Sequence, residues 1–438
     1  MSDWSLSDLK KWDETIIDLA HEHNLDWFPI NYEVCDYYEM IGHMSYHGMP
    51  SHYNHWSFGK SFERTHQMYN LGASGLPYEL IINSNPSIAY LMRENPLYLQ
   101  ILIMCHCVGH SDFFKNNRMF SQTRPESIVS GMRTAKKRIQ GYVENPHIGI
   151  SKVEKFLDSL HALQFHIYRH PKKYIPHKER RNCALEEINE KISQGETPDL
   201  SILKKVPIEP EQDLFSFLLE HGKKFESWEI DLIEIVKREA YYFMPQIQTK
   251  IMNEGWASYW HYRLMHELDL PQKYHIPFLK SHNQVVQPHI GSINPYHLGF
   301  HLFNKIEERH GLEECFIARS TAHDEAFIRQ YLTQEDCEEL NLFAFSQKKD
   351  YYLINEVSDE DGWKPVKNLL VNQVGANTIP KIYVESIDEG DVLVLHHEHD
   401  GRDLELDYAD AVVRHIETLW KGGSVKLMTI IEDEPFEI

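Results

Sequence analysis

Positive charge is scarce in this chain: 44 Lys and Arg stand against 66 Asp and Glu, a formal net charge of −22 over 438 residues. So acidic a surface repels nucleic-acid phosphates and anionic lipid headgroups, and neither is expected as a partner. Cysteine is sparse too. The six, at 35, 105, 107, 183, 315 and 337, follow no framework spacing, and a chain of this length folds without disulfides, so they read as reduced thiols. No apolar run reaches the roughly 18 residues of a membrane span. Met1 to Ile16 holds neither the basic nor the apolar stretch that directs export. The expectation is a cytoplasmic protein with no membrane insertion. Phosphate-cradling glycine loops, dinucleotide fingerprints, heptads and internal repeats are missing as well, which removes the commonest nucleotide-binding and solenoid readings.

What the chain does have is histidine, 28 residues of it, and two stretches stand out. The first is His106-Cys107-Val108-Gly109-His110, in a segment apolar on nearly all sides after Pro96, as a helix buried within a domain is. Four apart on a helix, His106 and His110 lie on one face with Cβ atoms about 5–6 Å apart. Two imidazoles so placed can grip one metal ion. The alternative is a pair of core histidines hydrogen-bonded to backbone carbonyls or to Asp112.

The second stretch runs from Asn253 to His261. On a helix starting near Thr249, Glu254 and His261 are seven apart and share a face, while Trp256 and Trp260 form an i, i+4 pair. Gly255 costs such a helix about 1 kcal/mol relative to Ala, which implies close approach of another backbone. His106, His110 and Glu254 together offer two nitrogens and one carboxylate oxygen. That set suits one divalent ion, zinc by ligand type, with a fourth position left for water or substrate. The alternative for Glu254 is a buried ion pair with Arg263 or Arg238.

Periodicity and turn signals give a coarse architecture. A helix capped by Ser5 or Ser7 runs to about Glu22, a short strand runs from Tyr78 through Asn83, and helix-length segments follow at 125–143, 151–169 and 226–242. Residues 177–198 are polar and read as a surface excursion. Asn294-Pro295 opens another helix, and 324–332 is amphipathic with Glu325 and Arg329 as an i, i+4 pair. Beyond 345 the texture alternates: strands at 351–355, 381–387, 391–398, 404–406 and 424–431, helices at 363–372 and 408–420. The expected fold is mainly α with a short β element over residues 1–345, followed by a small α+β domain over 346–438. His52 and His55 read as a wall of the site, and His396, His397 and His399 as an exposed strand end whose alternation prevents convergence on one ion.

Longer strings carry a resemblance: Gly48-Met49-Pro50, His52 to Lys60, Tyr78 to Pro86, Gly109 to Asn117, Met252 to Tyr262, Asn294 to Phe300 and Asp324 to Leu332. Over almost its whole length the chain resembles the SpoVR family, named for stage V sporulation protein R. The resemblance implies a part in forming the spore cortex, a peptidoglycan layer, and brings no reaction with it. The order of elements also resembles zinc peptidases with the HExxH motif, in which an edge strand precedes the active-site helix. Glu-Gly-aromatic-Ala-x-Tyr resembles the segment that supplies their glutamate ligand, so a zincin-like helical core is expected. One departure matters: position 107, where those enzymes carry the glutamate base, is cysteine, and a buried thiol is a poor base. His261 or Asp112 is then the nearest replacement for proton transfer, and Tyr296 a candidate oxyanion donor. Two functions follow. One is a metal-dependent hydrolase of amide bonds in a peptide or cell-wall precursor; the other is a non-catalytic regulator or assembly factor on a degenerate metallopeptidase scaffold.

Overall fold

The computed structural model describes residues 3–71, 79–289, 292–347 and 352–438. These residues are mainly helical, 60% helix in 17 helices, with small sheets and a strand-rich C-terminal region. Two compact units form: one joins residues 1–136 to 245–378, the other 137–244 to 379–438.

The first unit is built around the helix Leu97–Asn116, here the histidine helix, which starts directly after Pro96 and buries every residue from Leu97 to Phe114 except Tyr98. Beside it lies Lys250–Glu267, the glutamate helix, buried continuously from Ile251 to His261. Neither has a polar stripe, because each is enclosed on all sides. Their closeness is set by small residues. A Cβ on Gly109 would lie 2.7 Å from the Cα of Ala257, and one on Gly255 would lie 2.4 Å from the backbone of Gly299, on the helix Pro295–His310. The close approach expected at Gly255 is thus made by a third helix. The N-terminal helix Leu6–Glu22 is closed by a capping box between Ser5 and Asp8 and packs against the histidine helix.

A three-stranded sheet covers the same core. Strand β1 (Ile30–Cys35) pairs in parallel with β3 (Ser87–Met92), and β2 (Glu79–Ile82) pairs antiparallel with β3, in the order β1-β3-β2. Strand β2 matches expectation, with Tyr78 outside the described residues. Strand β3, which takes in Ile88 to Met92, was not among the expected elements. A strand buried on both faces shows no alternation, so periodicity cannot separate it from a buried helix.

The antiparallel pair β4 (Phe343–Gln347) and β5 (Tyr352–Val357), with the helix Trp363–Asn372, belongs to the first unit. Tyr351 lies outside the described residues. In the second unit, β6 (Ile382–Asp388), β7 (Val392–His397), β8 (Val425–Ile431) and β9 (Glu434–Glu437) form one sheet in that order. The parallel step from β7 to β8 crosses through the helix Leu406–Trp420. No strand forms at 404–406, where one was expected, because Glu405 caps that helix by accepting from the amide of Tyr408. The polar stretch at 177–198 is mostly a helix, His177–Ser193, exposed but for a few residues such as Ile188. His397 turns inward to Thr429 Oγ1 at 2.9 Å, while His399 meets Asp403 at 3.0 Å. Among the described residues no helix is long and apolar enough to cross a membrane.

Candidate metal centre

His106 and His110 come from consecutive turns of the histidine helix, and their rings meet edge to face with centroids 4.5 Å apart. The glutamate helix, held at backbone distance by Gly109 and Ala257, presents Glu254 to both. Its Oε2 lies 3.3 Å from His110 Nε2 and 3.6 Å from His106 Nε2. A fourth donor arrives from outside this helix pair: Glu79, the first residue of β2, places Oε1 3.5 Å from His106 Nε2. The ligand atoms of Glu79, His106, His110 and Glu254 all lie within 4.8 Å of one another. A tetrahedral ion with bonds of about 2.0–2.1 Å has donor–donor edges of roughly 3.3–3.4 Å, so the three measured spacings match such edges.

Hydrogen bonding supports the same reading. His106 Nε2 and Glu254 Oε2 are buried and make no hydrogen bond among the described residues. Leaving two such atoms unsatisfied is costly, and a cation between them would satisfy both. The other ring nitrogens are taken. His110 Nδ1 meets Asn253 Oδ1 at 2.8 Å, and since an amide oxygen only accepts, Nδ1 carries the proton and Nε2 the free lone pair. His106 Nδ1 meets His261 Nδ1 at 2.8 Å, and His261 Nε2 meets His282 Nδ1 at 2.8 Å. With the lone pair of His106 on Nε2, protons run in one direction along this chain of three imidazoles.

The charges are balanced locally. Burial alone would raise the Glu254 carboxyl, but the Lys250 ammonium and the His110 imidazole overrule it and hold it well below the usual carboxylate range. Burial would likewise lower His110, and Glu254 turns the shift upward. His261 is held well below the usual imidazole range by burial and by the neighbouring histidines. Tyr296 stacks on His106 with centroids 6.2 Å apart, and Lys250 Nζ stands 5.9 Å from the centre of its ring. Burial, then the charges of Glu254 and Glu79, push its phenol well up.

Of the residues singled out in the sequence, His106, His110, Glu254 and Tyr296 converge here. His261 stands on the Nδ1 side of His106, with both its nitrogens engaged, and not on the side where the carboxylates meet. Asp112 faces elsewhere: it accepts from the amide of Asp26 and from Trp256 Nε1, each at 2.8 Å, with Arg319 Nε at 3.5 Å. Arg263 serves Glu307 and Tyr259 and not Glu254, whose ionic partner is Lys250 one turn earlier. His52 packs against Tyr53 and Phe58, and His55 caps the helix Trp56–Asn70; neither joins the cluster. Glu79 and Asn253 were not anticipated. Asn253 adjoins Glu254 and could have been found by asking which neighbour fixes a histidine tautomer, whereas no spacing rule links Glu79 to the two helices.

The family described as SpoVR like protein matches residues 3–379, and the SpoVR-like C-terminal domain matches 380–432. An uncharacterized protein of Escherichia coli strain K12, YcgB, is 33% identical, with the alignment covering 100% of this chain and 94% of YcgB. No solved structure matches. A family match that takes in the sheet, both central helices and all four clustered residues, joined to a relative that aligns end to end, places this chain in the SpoVR family.

Proposed function

We propose that this chain is a metal-dependent hydrolase of amide bonds in a peptide or cell-wall precursor, acting in the cytoplasm with one divalent ion, zinc by ligand type. His106, His110 and Glu254 hold the ion. The family name ties the protein to sporulation, and the peptidoglycan of the spore cortex is the amide-bearing material of that process. The observation that carries the reading is the pair of buried, unsatisfied atoms, His106 Nε2 and Glu254 Oε2, facing each other among two further donors. The succession of an edge strand, a helix bearing two histidines and a later helix bearing a glutamate is the basis for calling the core zincin-like, by analogy of arrangement.

When bound, such an ion polarises a carbonyl and lowers the pKa of a water. The protein supplies the remainder. Tyr296, whose phenol stays protonated, donates to the oxygen of the carbonyl under attack. His261, itself held by His282, holds the ring of His106 by its Nδ1, and Asn253 holds His110 in the same way. Lys250 offsets the carboxylate charge at the rim of the site.

One observation favours the alternative, a regulator or assembly factor on a degenerate metallopeptidase scaffold. Four protein donors, with Glu79 among them, close a tetrahedral ion as structural zinc sites do. Elemental analysis of protein purified without chelator or immobilised metal tests the common ground. The expectation is about one divalent ion per chain, lost when His106 and His110 are both replaced by Ala; full retention in that double variant sinks the proposal. Cleavage of amide-linked peptidoglycan fragments by the loaded protein then separates hydrolase from regulator.

A further inference from the structure

We propose that Glu79 is the fourth ligand of this site and its exchangeable one: it closes the shell of the ion in the resting protein and turns away when an atom of a substrate or inhibitor takes its place. The inference rests on the metal-binding reading above.

Four observations carry it. First, distance puts Glu79 among the donors. Its Oε1 lies 3.5 Å from His106 Nε2, beside the 3.3 Å and 3.6 Å that separate Glu254 Oε2 from the two imidazoles, and the four ligand atoms all lie within 4.8 Å of one another. Four such donors fill a tetrahedral shell. Second, Glu79 is fastened less firmly than the rest. His261 holds His106 by Nδ1, Asn253 holds His110 by Nδ1, and Lys250 takes the second carboxylate oxygen of Glu254. Such outer partners fix a ligand's orientation. Among the described residues the one ion pair of Glu79 is with His106 itself, and its other polar neighbour, the Tyr296 phenol, is shared with Glu254. Third, the Glu79 side chain is 12% exposed, against 2% for His106, 5% for His110 and 6% for Glu254, so an incoming molecule meets it before the other ligands. Fourth, the other three ride on helices held at backbone contact through Gly109 and Ala257 and through Gly255 and Gly299. Glu79 begins β2, which stands at one end of the sheet order and pairs with β3. Its side chain leaves the shell by turning about its own bonds, with strand and helices in place.

The exchange balances. The bond from a Glu79 oxygen to the ion breaks with its electron pair on the carboxylate, and a bond from the incoming oxygen or nitrogen forms with that atom's own lone pair. No proton moves and nothing is oxidised or reduced. A shell complete at rest thereby opens one position when a carbonyl arrives, which gives a site with four protein donors the open position that hydrolysis needs.

The test uses the full chain and the variant Glu79→Ala. Zinc affinity is measured by competition with a chromophoric chelator. Imidazole, chosen because it is neutral and so does not answer to the lost charge alone, is titrated into the cobalt-loaded protein and followed in the visible spectrum. The expected result is zinc affinity weaker by about tenfold or more, with imidazole affinity tighter by about tenfold or more. The second figure follows from occupancy: a donor that fills the position in about nine molecules of ten leaves about a tenth of the protein competent to bind, and its removal restores the remainder. In the parent, imidazole should leave cobalt absorption at four-coordinate intensity. Zinc affinity that falls by less than about tenfold shows that Glu79 is no ligand and overturns the inference while the metal reading stands. Imidazole affinity that rises by less than about tenfold makes Glu79 a fixed ligand and overturns it equally, as does a fall of the parent's absorption to five-coordinate intensity, which means that imidazole adds beside Glu79. Absence of metal in the parent protein overturns the reading beneath it. Should Glu79→Ala fail to fold by circular dichroism, Glu79→Gln must show the same pair of changes, with zinc weakened and imidazole tightened, or the inference falls.

Discussion

Cys107 is one residue on from His106 and fully buried, and burial pushes its thiol far above the range in which a thiolate forms. It is packing, not chemistry. Cys107→Ala should therefore leave metal content unchanged and cost about 1 kcal/mol of stability, the transfer term for a small buried group. Glu254→Ala should empty the site. Elemental analysis and urea unfolding of the two variants decide this, and the reverse pattern refutes the ligand set. The same scale contains His261, whose Nδ1 holds His106. His261→Phe keeps an aromatic ring and removes the acceptor, so zinc affinity should drop roughly 10–100-fold by competition titration; unchanged affinity removes His261 from the positioning chain. Three of the four clustered residues were legible because helical geometry turns a spacing of four into a shared face and makes a buried carboxylate beside glycine and tryptophan conspicuous. Glu79 was not, because a residue on a strand reaches the site through tertiary packing, and nothing in its neighbours distinguishes a site carboxylate from a solvated one.

Among the elements, the contact between the glutamate helix and the helix Pro295–His310 is the tightest constraint on the site. Added Cβ atoms would lie 2.4 Å from backbone at Gly255 and 2.2 Å from the carbonyl oxygen of Ile251 at Gly299. Backbone cannot yield as a long side chain can. Gly255→Ala should thus push the two helices apart, destabilise by about 1–3 kcal/mol or more, and weaken zinc binding by displacing Glu254, in spite of the higher helix propensity of alanine. A surface glycine such as Gly141, with open space around it, should show the opposite sign. Differential unfolding and zinc titration of both variants check the contrast. The start of the glutamate helix is fixed from a distance: both carboxylate oxygens of Asp324 accept from the amides of Ile251 and Met252 at 2.9 Å. Helices with caps, an amphipathic stripe or a breaker at one end were readable: Leu6–Glu22, Trp363–Asn372 and Asp324–Tyr331 lie where the pattern put them. Strand β3 was not, since a short apolar run buried along most of its length carries no clear period; strand β1, Ile30 to Cys35, does alternate, with exposed Asn31 and Glu33 between half-buried Ile30, Tyr32 and Val34, and was missed among its aromatic, acidic surroundings.

For the molecule as a whole, pH sets stability through groups whose affinity for protons changes on folding. Burial lowers His43, His166, His221, His261, His282, His297 and His397, with His166 and His282 pushed down to about 4. Burial raises fewer carboxyls: Asp13 and Asp112 to about 6 and Asp324 to about 7. The two sets act in opposite directions. A histidine lowered in the fold takes up its proton in the unfolded chain near pH 6.5 but in the native state only at lower pH, about 4 for His166 and His282, so its contribution is full above about 6.5 and is lost as pH falls through its folded value. An aspartate raised in the fold is protonated in the native state after the unfolded chain has ionised near 3.9, so its contribution is lost as pH rises through its folded value. Between pH 4 and 6.5 seven histidines thus oppose three aspartates and His110, which Glu254 raises, and the seven prevail. Stability should decline as pH is lowered from 6.5 to 4.5, by an amount on the order of a few kcal/mol after allowing for the partly exposed rings. Release of the proposed ion would add in the same direction, because ligands that must be deprotonated compete with protons. Urea unfolding at pH 7, 5.5 and 4.5, run with excess zinc and again with chelator, separates the contributions. The chelated series isolates the buried histidines, and a midpoint in that series that holds steady or rises on acidification means that these imidazoles are not the neutral, buried groups described here.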